Sequence, residues 1–312
     1  MRKVKTVFII AFLCISFSCK EYLDVVPDSV ATIDNAFTLR TSAERYLFTC
    51  YSYMPQHGLL NGSNCGNIAF NSSDELWYPV PSIDIDAEII NIQRGFQNSS
   101  DPYGNYWSGK REGKKLFEAI RNCNIFLENI HKVNDLPLWE MGQWTSEVKF
   151  LKAYYIFYLM RMYGPIPLIR ENLPISASPE EVQLYRAPVD EVVDYIVELL
   201  DEAFASEALQ PRVVGTEAVD LGRITQSIVL ALKAKVLVTA ASPLFNGNPE
   251  YANFRDSRGT QLISPDYDQS KWQRAADACR EAIEYAHQQG YMLHKYTPTP
   301  GSTYVLNDTL LK

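Results

Sequence analysis

Along most of the chain the apolar positions recur at spacings of three and four. Almost nothing alternates with period two. That rhythm predicts amphipathic helices and very little sheet. The first helical pattern opens at Thr41-Ser-Ala-Glu44, which has the form of a capping box, and carries Ala43, Leu47, Cys50 or Tyr51, and Met54. A second holds Leu116, Ile120, Cys123, Leu127 and Ile130. A third runs from about Gln143 to Tyr163. Its stripe of Trp144, Val148, Leu151, Tyr155, Tyr158 and Met162 is joined by Phe150, Ala153, Phe157 and Met160 on other faces. A helix apolar all round belongs in the core, and Gly164-Pro165 ends it.

The fourth pattern starts near Pro188 and turns Val189, Val192, Val193, Ile196, Leu199, Leu200 and Ala203 inward. Asp190, Glu191, Asp194, Glu198, Asp201 and Glu202 form its outer face, which reads as solvated. The fifth, Thr225 to Ala241, has Ala231, Ala234 and Ala241 for close helix contact. The sixth opens with a second capping box, Ser270-Lys-Trp-Gln273, and stops at Gly290. Its expected inward set is Trp272, Ala275, Ala276, Cys279, Ala282, Ile283 and Ala286. Ala275, Cys279 and Ala282 match the small–large–small spacing of a tetratricopeptide helix, and Val192, Ile196 and Leu199 repeat that spacing 83 residues earlier. The usual repeat is about 34 residues, so long insertions are expected, one of them over 243–270. The expected fold is all-α, with irregular tetratricopeptide-like repeats and long loops.

Between the first two helices lies an irregular stretch, 57–109, rich in Asn, Ser, Gly, Asp and aromatics. Loops this long tend to carry function. Aromatic faces stack on the C–H faces of sugars, while Asn, Asp and Arg satisfy hydroxyls that cost free energy when buried alone. Trp77, Tyr78, Arg94, Asn98 and Tyr103 are therefore the candidate ligand-binding residues. Trp107, close to the second helix, reads instead as an anchor for the loop. For Trp77 and Tyr78, stacking on a ligand and anchoring the loop both stand.

The N-terminus changes the picture of where the protein works. Met1 to Lys5 is basic, and Val7 to Phe17 is an unbroken apolar or small run. Eleven residues give a helix of about 16 Å, too short for a bilayer core of about 30 Å. The pattern is a secretory signal over residues 1–18. Ser16-Phe17-Ser18-Cys19 resembles a bacterial lipobox, although Ser16 stands where Leu is usual. The reading makes Cys19 the lipidation site and 19–40 a tether and docking segment. An acylated cysteine with several chains anchors firmly, at about 0.8 kcal/mol per buried CH₂.

Composition is that of an ordinary globular chain of 312 residues, 46% hydrophobic and 21% charged. Its formal charge is −8. Loss of residues 1–18 removes Arg2, Lys3 and Lys5 and leaves 26 basic residues against 37 acidic ones. Such a chain has no footprint for nucleic acid. The four histidines form no metal-ligand pair, and no nucleophile elbow, Walker loop or dinucleotide fingerprint occurs. Asp74-Glu75 are adjacent, whereas glycosidase carboxylates face each other across a cleft. Six cysteines include no C-x-x-C pair; Cys50, Cys123 and Cys279 read as small buried residues within helices. Neither catalysis nor a cofactor is expected.

The segment Cys19-Lys-Glu-Tyr-Leu-Asp-Val-Val-Pro27 resembles the mature start of the RagB/SusD family. So do Ser73-Asp-Glu75, Arg121-Asn-Cys-Asn-Ile-Phe-Leu-Glu-Asn-Ile130 and Glu147-Val-Lys-Phe-Leu-Lys-Ala-Tyr-Tyr155. Tyr163-Gly-Pro-Ile-Pro-Leu-Ile169, Gly222-Arg-Ile-Thr and Ala231-Leu-Lys-Ala-Lys-Val-Leu237 continue the match in order. The resemblance implies an outer-membrane lipoprotein of a Bacteroidetes bacterium, with a tetratricopeptide-like domain over 41–312. It would capture glycan for a SusC-like TonB-dependent transporter, without enzymatic activity or cofactor. Family chains are usually longer, so the sequence is expected to be an N-terminal portion. Two rival readings are a repeat scaffold that binds only protein and a surface glycosidase.

Overall fold

The computed structural model describes residues 33–55, 68–75 and 90–294. Cys19, Cys65, Trp77 and Tyr78, and the lipobox with most of the tether, lie outside the described residues. Six long helices form the body: α1 (Arg40–Ser52), α2 (Leu116–Asn129), α3 (Leu138–Tyr163), α4 (Val189–Ala205), α5 (Gln226–Ala241) and α6 (Gln269–Gln288). Among the described residues there is no strand, only an isolated bridge between Arg255 and Gln261. From α2 onward each long helix packs on the next in chain order, while α1 lies against α2 and α3. That sequential stacking is the tetratricopeptide-like architecture.

The predicted inward faces of α1, α2 and α4 are buried. Ala43, Leu47 and Cys50 seal α1 on the core; Leu116, Ile120 and Cys123 do so for α2. Phe37, ahead of α1, is buried between Tyr46 and Phe126, with centroids 5.1 and 5.8 Å away. Cys279 is only half-buried.

Several boundaries differ from the sequence reading, each for a physical reason. Thr41-Ser-Ala-Glu44 is not a cap, because α1 already includes Arg40 and its N-cap residue is Leu39. The Arg40 amide donates instead to Asp135 Oδ1 at 2.7 Å, a carboxylate well placed at the positive end of the helix. The Arg40 guanidinium forks onto Glu140 at 2.6 and 2.7 Å. α3 begins five residues before Gln143 because its first turn carries exposed Leu138 and Trp139, which break the inward pattern. At α6 the cap is Asp268, which accepts from the Ser270 amide at 2.8 Å, and Ser270 sits inside the helix.

The inward set of α6 is also narrower than expected. Ala275 and Ala278 are buried, while Trp272, Ala276 and Ile283 are exposed. It ends the described stack, so one face meets α5 and the opposite face meets no helix among the described residues. On α5, Ala234 and Ala241 are buried and Ala231 is exposed. The acidic face of α4 is exposed yet bridged: Asp190 to Lys271, Asp194 to Arg274, Asp201 to Lys233 and Glu202 to Lys149, at 2.6–2.8 Å. Pairs this exposed contribute about 0–1 kcal/mol each, so they set register more than stability.

Candidate functional site

Most residues that carry the family resemblance build the scaffold. Glu147, in the middle of α3, is fully buried and takes two 3.0 Å bonds from the Arg223 guanidinium. The Tyr51 hydroxyl and the Gln143 amide complete its shell at 3.0 and 3.1 Å. Burial pushes the Glu147 carboxyl above its ordinary range, against the pull of Arg223. Asn124 and Lys152 clamp the strap after Gly164. Asn124 donates to Asn172 at 3.3 Å, and the Lys152 ammonium donates to the Arg170 carbonyl at 2.6 Å. Gly164 ends α3 at φ 69°, a left-handed conformation that suits glycine.

The loop between α1 and α2 is fixed to the end of α3. Tyr106 is buried with its ring 4.6 Å from that of Tyr158, and its amide donates to the Tyr163 hydroxyl at 2.9 Å. Trp107 packs on Phe117 and Tyr163, with centroids 4.6 and 5.5 Å away, and so anchors the loop. The segment folds back on itself, with Gly104 and Asn105 amides donating to the carbonyls of Arg111 and Lys110. A Cβ on Gly113 would lie 1.9 Å from the Asn105 carbonyl oxygen.

Three sequence candidates fall on this loop. Asn98 is exposed, but its Oδ1 accepts from the Ser100 and Asp101 amides at 3.1 and 2.7 Å and its Nδ2 donates to the Asp101 carbonyl. It shapes a turn. Tyr103 is half-buried, with the Arg111 guanidinium 5.3 Å from its ring centroid. Arg111 also binds Asp101, holding that carboxyl below its ordinary range. Arg94 is exposed and meets no carboxylate at ion-pair distance among the described residues.

Two single helical turns, Ile68–Asn71 and Ile90–Gln93, lie over the C-terminal end of α3. Between them is a cavity of about 200 Å³. Ile68, Ala69, Ile92 and Met162 give it an apolar wall; Gln97, Tyr158 and Arg161 give it polar groups. Phe70, in the first turn, and Phe96, three residues past the second, are 45% and 63% exposed. The grooves beside α6 differ, since their charged groups, such as Lys271 with Asp190 and Arg274 with Asp194, already satisfy each other. Sequence reasoning passed over Arg161. Its signal is a cation in the apolar run Tyr158-Leu-Met-Arg-Met162, at the end of a buried helix.

Fold and site together define, among the described residues, an all-helical, repeat-built protein whose loop segments carry exposed aromatics and help wall a small cavity. A family profile described as starch-binding and associating with the outer membrane, SusD-like, matches residues 21–238. The chain belongs to the SusD-like family. It is 25% identical over 216 residues to SusD-like protein P25 of Formosa agariphila, covering 64% of this chain and 37% of that one. Among solved structures, BT4246 is 30% identical with a TM-score of 0.65, over 81% of this chain and 41% of its own. A laminarin-binding SusD-like protein shares the fold, with a TM-score of 0.54 at 24% identity, over 66% of this chain and 41% of its own. The chain thus spans less than half the length of these relatives.

Proposed function

We propose that the chain is the glycan-capturing part of an outer-membrane lipoprotein, anchored through Cys19, that hands oligosaccharide to a SusC-like TonB-dependent transporter. Capture and hand-over need no bond cleavage. The observation that carries the reading is the loop surface: the segments that carry the partly exposed rings of Phe70 and Phe96 also help wall a cavity with an apolar side and a few polar groups. That combination suits a sugar, whose C–H faces stack on rings while its hydroxyls take hydrogen bonds. Trp77 and Tyr78, four and five residues after Ser73 in sequence, are the proposed stacking residues. Family membership supports the outer-membrane setting.

Native gel electrophoresis through polysaccharide-containing gels tests it. Wild-type protein is expected to be retarded by at least one polysaccharide, and a Trp77→Ala, Tyr78→Ala double variant to run freely. Equal retardation of both proteins would remove those two residues from the site. A protein that co-purifies with a transporter but is retarded by no polysaccharide would instead support the scaffold reading.

A further inference from the structure

We propose that the cavity at the end of α3 selects an anionic glycan, one bearing uronate carboxylates or sulfate groups, with Arg161 as the residue that contacts the anion. The inference rests on the glycan-binding reading and adds the chemical class of the ligand.

Acidic residues outnumber basic ones 37 to 29 in this chain, and the cations that join its helices are paired. Arg40, Arg223, Arg274 and Lys233 each meet a carboxylate within 3.3 Å. Arg161 lines the cavity and meets none among the described residues. Its guanidinium lies instead 5.6 Å from the Phe157 ring centroid and 5.9 Å from that of Tyr158. Cation–π contacts of this kind orient the group without neutralising it. Burial and repulsion from Arg161 hold the Lys235 ammonium on α5 below the ordinary lysine range.

A guanidinium binds carboxylate or sulfate through paired N–H donors, whereas a neutral hydroxyl takes one weaker bond. The apolar wall beside it takes the sugar face. An arginine in the last turn of a helix also complements the negative end of the helix dipole. That role would affect stability alone, and the test separates the two.

Titration calorimetry with two matched pairs of probes decides between them. One pair is an oligogalacturonate and its carboxyl-reduced form; the other is a sulfated galactan oligosaccharide and its desulfated form. Wild-type protein is expected to bind a charged member at least about tenfold tighter than its neutral twin. Arg161→Gln is expected to abolish that preference while its melting curve stays cooperative. High salt is expected to reduce the preference. Equal affinity within both pairs overturns the inference while leaving glycan binding intact. A preference that survives in Arg161→Gln also overturns it. No binding to any member or to any other glycan overturns both this inference and the reading it rests on.

Discussion

Removing the Arg223 guanidinium is the sharpest test of how this scaffold holds together. Glu147 has no solvent exposure and Arg223 only 15%, and two bonds of 3.0 Å join them. Arg223→Ala leaves the Glu147 carboxylate buried with only Tyr51 and Gln143 as donors. Breaking a buried pair from one side costs about 3–5 kcal/mol. Because those two donors remain, the lower end, about 3 kcal/mol, is expected. The sign of the pH dependence follows from burial. The folded-state pKa of Glu147 already lies above its ordinary value, and loss of the guanidinium raises it further. A raised carboxyl is penalised only where it must ionise. The cost is therefore absent below the unfolded pKa of about 4.3 and grows as pH rises through the folded one. Urea unfolding should show a larger loss at about pH 8 than at about pH 5. A Glu147→Leu, Arg223→Met double variant should recover much of it, since apolar replacement of both partners is often near neutral. A loss under about 1 kcal/mol, or one that adds in the double variant, would refute the reasoning.

Three further outcomes follow from named contacts. Gly113→Ala forces backbone against backbone at Asn105 and should destabilise the protein by about 1–3 kcal/mol in thermal unfolding. Lys152 is buried, and burial lowers its pKa to about 8. Its folded state sheds the proton before the unfolded state does. The penalty for charged Lys152 is therefore full below about pH 8 and fades toward the unfolded pKa of about 10.4. Relative to Lys152→Met, wild type should gain stability over that window, which pH-resolved denaturation would detect; a constant difference would refute it. Cys19→Ala should abolish incorporation of radiolabelled palmitate and release the protein from the membrane fraction, while persistent labelling would move the anchor elsewhere.

The helices were legible where burial follows a single face. Ala43, Leu47 and Cys50, or Val189, Val192 and Ile196, repeat at the helical period, and the core lies where they point. Helix ends were less legible because their partners are remote. The acceptor for the Arg40 amide at the start of α1 is Asp135, 95 residues away, and no local motif announces it. The outer face of α6 misled for a related reason: Trp272 and Ile283 repeat like core residues, yet α6 ends the described stack. The acidic face of α4 is exposed as read, but its cations come from α3, α5 and α6. The site was half legible. Loop length and aromatic content marked the region between α1 and α2. The cavity itself joins residues near 68, 92 and 161, and only folding brings them together. Asn98 illustrates the limit, since an exposed amide in a polar loop can be engaged wholly in its own turn.

Sugar binding is proposed for the loop surface at the end of α3. Titration calorimetry of the purified chain with oligosaccharides cut from a polysaccharide that retards it tests this most directly. Saturable binding is expected that weakens in Phe96→Ala and is lost in the Trp77→Ala, Tyr78→Ala variant, with melting curves unchanged. Binding that survives in all of these variants would place the sugar elsewhere and contradict it.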